Sequence, residues 1–355
     1  MPALGLPPHS CWRLALPLVL MFGMDLTVGQ PAPPQTAVAP ASSAGVVPAA
    51  GLKNFQARID AAALTLRNSG PQFEKLSPKY LRGLAEFVSG NMLFVLLHEL
   101  ALASITQLRL PALGRTEDAA DSFATLRLIR VGDDFSHRVL TEAAKGWFLA
   151  DRRDQKTGVK VAYYDEHGLN QQRAYQIVCL MVGSDDEKFN DLAKETKLPA
   201  ERRDSCAGDY SNAAYSWDLV LKPHRRSPDR PKTDIDMLYG PAEGRTAIAQ
   251  RVARDIRLLQ MVAEHVVSDF VWPMPLSLEM QTCGVPDARW DVATNKLTLC
   301  YELAVEFADL YRDYGGAAAD AGTADGTKRK RIGASAHKPI RNQRRGPHPR
   351  GFHSQ

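Results

Sequence analysis

Apolar residues recur at three- and four-residue steps through 54–68 and again through 79–105, the spacing of helices that each bury one face. Pro111 and Gly114 end the second of these segments. The same periodicity predicts helices over 117–131, 136–150 and 301–311, and one long amphipathic helix over 246–270. Residues 174–182 are an apolar run that suits either a helix or a buried strand. Pro199, Pro223, Pro228, Pro231 and Pro241 mark a middle region rich in loops. Alternation at Leu276, Leu278 and Met280, then at Leu297, Leu299 and Tyr301, predicts a two-stranded hairpin around Gly284 and Asn295. No internal repeat is visible. The fold class is therefore α+β and mainly helical, with a folded body over 52–314.

The ends of the chain follow different rules. Residues 14–24 (LALPLVLMFGM) are almost wholly apolar and follow Arg13. Eleven residues are too few to span a bilayer but suit the core of a secretory signal, so 1–29 is expected to be a cleaved leader. The protein is then periplasmic or extracellular. No later stretch resembles a transmembrane span, since the apolar run 92–97 is short and meets His98 and Glu99. Residues 30–51 are a Pro/Ala-rich linker. Residues 315–355 are expected to be a disordered basic tail, with nine Lys or Arg against Asp320 and Asp325. The net charge of +4 comes from that tail, and the body is mildly acidic. A run such as Lys328 to Arg331 can attract polyanions weakly by charge alone. With no aromatic side chain in the tail beyond Phe352, specific nucleic-acid binding is not expected.

Cys11 leaves with the leader, so Cys179, Cys206, Cys283 and Cys300 remain. Of the three pairings open to four cysteines, the sequential one, Cys179–Cys206 with Cys283–Cys300, closes two local loops and is the one expected in an exported protein. The alternative is four buried thiols in a cytosolic one.

The chemistry sits in the second long segment, which places His98 and Glu99 among apolar neighbours at a desolvation cost that some partner must offset. Zinc peptidases use the grammar HExxH: two histidines one turn apart bind the metal, and the Glu between them is the general base for the attacking water. Here the motif reads His98-Glu99-Leu100-Ala101-Leu102, so a side chain with no donor atom stands at the second histidine's place. Fifteen residues further on, Glu117 and Asp121 form an ExxxD pair on one helical face. One group of zincins takes its third ligand from such a Glu, while the Asp one turn later orients a ligand histidine.

With these motifs the sequence resembles the bacterial family of exported proteins described as putative metallopeptidases, whose motifs resemble the thermolysin-like zincin grammar. The matching stretches are NMLFVLLHEL (91–100), LPALGRTEDAAD (110–121), DEHGLNQQRAYQIVCLMVGSD (165–185), and CGVPDARWD with LTLCYEL within 283–303. The resemblance implies a zincin-like domain, a peptide or protein substrate, and zinc held by His98, residue 102 and Glu117. Glu99 would be the catalytic base and Asp121 the orienting carboxylate. Leu102 removes one of three protein ligands, which should weaken zinc binding by orders of magnitude.

Other residues admit two accounts each. In Asp165-Glu166-His167, His167 could donate to a developing oxyanion, or replace the missing ligand; the plainer account is a turn that caps the next helix. Arg173 suits an ion pair with Asp121 or Glu166. His137, His224 and His265 are isolated, and Trp147, Trp217, Trp272 and Trp290 suit core or rim positions. Glu302 suits the first turn of a helix, where its charge meets the helix dipole. Two functions stay open: hydrolysis of a peptide bond at a zinc site, or peptide binding by an inactive relative that keeps the cleft.

Overall fold

The computed structural model describes residues 55–315 except residue 266. The expected leader and linker, and the tail beyond Gly315, lie outside the described residues. The elements run α1 (Phe55–Arg67), α2 (Pro71–Glu74), α3 (Pro78–Gln107), α4 (Thr116–Val131), α5 (Asp134–Thr157), α6 (Asn170–Ser184), α7 (Asn190–Glu195) and α8 (Ala200–Leu221). Then come β1 (Ile235–Tyr239), α9 (Gly244–Asp255), α10 (Leu258–His265), β2 (Leu276–Gln281), β3 (Ala288–Asp291), β4 (Lys296–Cys300) and α11 (Tyr301–Tyr314).

The centre of the body is α3. Ser77 caps it by accepting from the Tyr80 N–H, and Pro78 follows, where a missing N–H costs nothing. Every residue from Leu96 to Ser104 is buried, a pattern that belongs to a helix surrounded on all sides. By length and composition α3 could cross a membrane, but 89% of its most apolar window is covered by the rest of the body, with α1, α4, α5 and α11 packed against it. Left-handed glycines end the next two helices, Gly132 (φ 69°) after α4 and Gly158 (φ 72°) after α5. These two stops fix how α4 and α5 return across α3.

A four-stranded sheet of order β1-β2-β4-β3 lies at the C-terminal end of α3. Trp290 Nε1–H on β3 donates to Thr106 Oγ1 (2.9 Å), joining sheet to helix. The expected two-stranded hairpin over 276–301 is corrected to three strands, with β1 added from the region assigned to loops. β2 runs parallel to β4, and only β3–β4 is a hairpin, turning at Asn295 (φ 52°). Alternation marks a strand's faces but carries no information on the direction of its partner.

Two helix assignments also change. The loop-rich middle contains α8, which buries only Cys206 and Leu221 and so has little apolar stripe to read. The single helix expected over 246–270 is broken at Ile256 and Arg257, where Arg257 takes a left-handed backbone (φ 56°). Residues 174–182 are helical, inside α6.

Cys179 on α6 is bonded to Cys206 on α8, and Cys283 to Cys300, the sequential pairing. Each bond is worth about 2–4 kcal/mol. Glu302, in the first turn of α11, accepts from the Cys283 and Gly284 N–H groups (2.7–3.1 Å), so it fastens the second loop as well as facing the helix dipole.

Thiol titration of the denatured, unreduced chain should detect no sulfhydryl at Cys179, Cys206, Cys283 or Cys300. Where α6 crosses α8, a Cβ on Gly183 would run into the Cys206 carbonyl and lie 2.9 Å from Tyr210 Cβ. Gly183→Ala should therefore cost about 1–3 kcal/mol in urea unfolding.

Candidate metal centre

His98 enters the site from the middle of α3, buried by the same packing that makes α3 the core helix. Opposite it, the first turn of α4 presents Glu117 and, one turn later on the same face, Asp121; both are buried. The two ring nitrogens divide between them. His98 Nδ1 lies 2.8 Å from Asp121 Oδ1, and Nε2 lies 2.9 Å from Glu117 Oε2.

A third element completes the group. The segment 158–169 between α5 and α6 folds back so that His167 Nε2 sits 3.2 Å from the same Glu117 Oε2. Its Nδ1 is 3.1 Å from Asp165 Oδ1, which also accepts the His167 backbone N–H. Arg115, just before α4, pairs with Asp118 and donates to the His167 carbonyl (3.4 Å), holding the segment against the start of that helix. The two imidazoles stack at 6.0 Å with 22° between their planes. His167 is about one-third exposed, while His98 and Glu117 are enclosed.

Behind Asp121 stands Arg173 on α6. Its Nε–H and Nη2–H donate to Oδ2 (2.6 Å) and Oδ1 (2.7 Å) of that carboxylate, and its guanidinium lies 3.7 Å from the ring centroid of Trp147 on α5. Glu99 and Leu102 are both buried on α3, Glu99 about 100° around the helix from His98 and Leu102 one turn beyond it.

The electrostatics follow from this chain of partners. Burial alone would push the His98 imidazole down, but hydrogen bonds to Asp121 and Glu117 outweigh it and bring the pKa up to about 9. Burial would push Glu117 up; hydrogen bonds and charge from His167 and His98 instead hold its carboxyl well below the usual range. Burial likewise opposes ionisation of Asp121, and the Arg173 charge with the His98 hydrogen bond holds it well below the usual range. Without a cation the group is thus a buried imidazolium braced by two carboxylates.

The donor set also fits a divalent metal. His98, Glu117 and His167 each offer one ligand atom, and all three lie within 4.8 Å of one another. Ligands 2.0–2.1 Å from a tetrahedral ion are separated by about 3.3 Å; the contacts to Glu117 Oε2 are 2.9 and 3.2 Å. Each imidazole keeps Nε2 for the shared point and commits Nδ1 to an aspartate, the arrangement by which outer carboxylates orient metal-bound histidines.

The structure therefore brings together His98, Glu117, Asp121 and His167. Arg173 takes Asp121 and not Glu166. Arg115 had no motif of its own in the sequence, although it directly precedes the helix that carries ExxxD. His137 lies against the Phe189 ring and His224 in a short turn, both apart from this group; the side chain of His265 is not described. A surface hollow of about 530 Å³ between α5, α6, α7 and Tyr314 contains none of the group.

A helical domain with a buried His/Glu cluster of metal-ligand spacing is of the kind metallopeptidases use. Residues 57–221, which include every member of the cluster, match the model of a family described as "Putative metallopeptidase". No curated protein and no solved structure matches the chain.

The raised pKa of His98 gives the metal-free protein a stability contribution that is complete below pH 6.5 and is lost as pH rises through about 9. The depressed carboxylates act oppositely, stabilising above about pH 4 and failing in acid. Melting scans in chelator should show Tm falling between pH 6.5 and 9, and Asp121→Asn should flatten that fall. Added zinc at pH 8 should release protons to an indicator dye, because His98 must lose one to bind.

Proposed function

We propose that the chain is a zinc-dependent peptidase in which His98, Glu117 and His167 hold the metal, His167 serving in place of the absent histidine at 102. The observation that carries this reading is the convergence of His98 Nε2, His167 Nε2 and Glu117 Oε2 on one point, with both Nδ1 atoms already engaged. A cation there supplies Lewis acidity, the means by which a neutral-pH site polarises a carbonyl and activates water.

The chain's own groups do the rest. Asp121 and Asp165 keep each imidazole oriented by accepting from Nδ1–H. Glu99 takes the proton of the attacking water on a carboxylate oxygen and passes it to the leaving amine. The packing of α3 against α4 keeps bulk water from His98 and Glu117, so substrate approaches past His167, the partly exposed member. As a ligand, His167 gives up the alternative part of oxyanion donor. The substrate is a peptide or protein, and export to the periplasm or beyond agrees with the two disulfides, bonds that persist in oxidising compartments.

A second reading, an inactive peptide-binding relative, rests on Leu102, which is buried and offers no donor. Purified protein should carry one zinc by elemental analysis. His98→Ala and His167→Ala should each lose it, while Glu99→Gln should keep the zinc and lose about 10²–10⁴-fold in hydrolysis of an unfolded protein. Metal-free, inert wild-type protein that gains zinc only with Leu102→His would refute the first reading and leave the second.

A further inference from the structure

We infer that Arg173, stacked on Trp147, is the positioning residue that fixes Asp121 and, through it, the metal-facing nitrogen of His98. This inference rests on the metal-site reading and adds a residue that reaches the cation only through others. Asp121 is almost wholly enclosed, and both of its oxygens are committed: Oδ2 to Arg173 Nε–H, Oδ1 to Arg173 Nη2–H and to His98 Nδ1–H. A carboxylate held only by an imidazole can rotate, releasing Nδ1 or swinging an oxygen toward a nearby cation. A two-pronged guanidinium sets the plane of the carboxylate and removes that freedom. Trp147 in turn fixes the guanidinium, whose carbon lies 3.7 Å from the ring centroid. The line Trp147–Arg173–Asp121–His98 thus crosses α5, α6, α4 and α3, one residue from each.

Stability alone does not account for this arrangement. Replacing a buried ion pair with well-packed apolar residues is often neutral or favourable, whereas removing one partner is costly. What the charged version adds is direction. Lys can substitute only in part, because an ammonium is a point charge without a fork.

Zinc affinity measured by competition with a chromogenic chelator tests the inference. Arg173→Gln should weaken binding about 10–100-fold, as should Asp121→Asn. Arg173→Lys should recover only part of the loss. Because both residues act through one hydrogen bond, the double variant should bind no more weakly than the worse single one. In the metal-free protein, the His98 Nδ1 proton should be a downfield, slowly exchanging NMR signal that Arg173→Gln abolishes. Trp147→Leu, which keeps the fork and removes its platform, should show a smaller loss in both readouts; with Arg173→Lys it carries the test if Arg173→Gln does not fold. An unchanged affinity and an unchanged proton signal in these variants would overturn the inference, as would losses that multiply in the double variant. If wild-type protein binds no zinc, the metal reading fails by itself, and the proton signal still decides the part played by Arg173.

Discussion

An imidazole in the buried middle of a mostly apolar helix is the constraint from which the arrangement of the first half of the body follows. His98 cannot be buried without partners, because a polar ring in a low-dielectric core loses its hydration and gains nothing in return. Asp121 and Glu117 supply the partners, which requires α4 to lie along α3 with its first turn at the level of His98. Two buried carboxylates then need further polar partners of their own. Arg173 answers for one, which brings in α6, and His167 answers for the other, which brings the α5–α6 connection back over the site. Each polar contact makes the next one necessary, and the apolar packing around them gives the polar line its rigidity.

How much of this the sequence disclosed depended on range. Helices with a one-sided apolar stripe, such as α1 and α11, are written in local periodicity. The long α8 is not, since only two of its residues are buried and prolines stand around it. The break between α9 and α10 turns on one residue, Arg257, in a left-handed conformation that an arginine side chain does not announce. In the site, His98, Glu117 and Asp121 can be paired from spacing, because a helical face repeats every three or four residues. His167 is placed by a loop that doubles back, and Arg173 and Trp147 by helices that meet in space, so no local pattern carries their roles. The family resemblance covered the stretch that holds His167 and Arg173 without saying what they touch, and it did not reach Trp147.

Leu102 changes its meaning in this setting. Read along the chain it deletes a ligand; in the structure it fills a core position one turn from His98, and an imidazole arrives at Glu117 from another direction. In the proposed site the count of donor atoms is kept while the source of one shifts from helix to loop. Glu99 remains where the motif puts it, next to His98 on the same buried turn.

That shift separates two quantities that an all-helical cage ties together. Where every donor rides on packed helices, letting an ion go means parting the core. In the site proposed here one donor, His167, sits on the segment that connects α5 to α6, between Gly158 and Gly168, and is latched through Arg115. In the proposed site, a swing of that segment would open the coordination sphere while α3 and α4 stay packed. Grip would then be set by the chemistry of the three donors, and turnover of the ion by the latch, so the tightness of capture and the speed of exchange could be tuned apart.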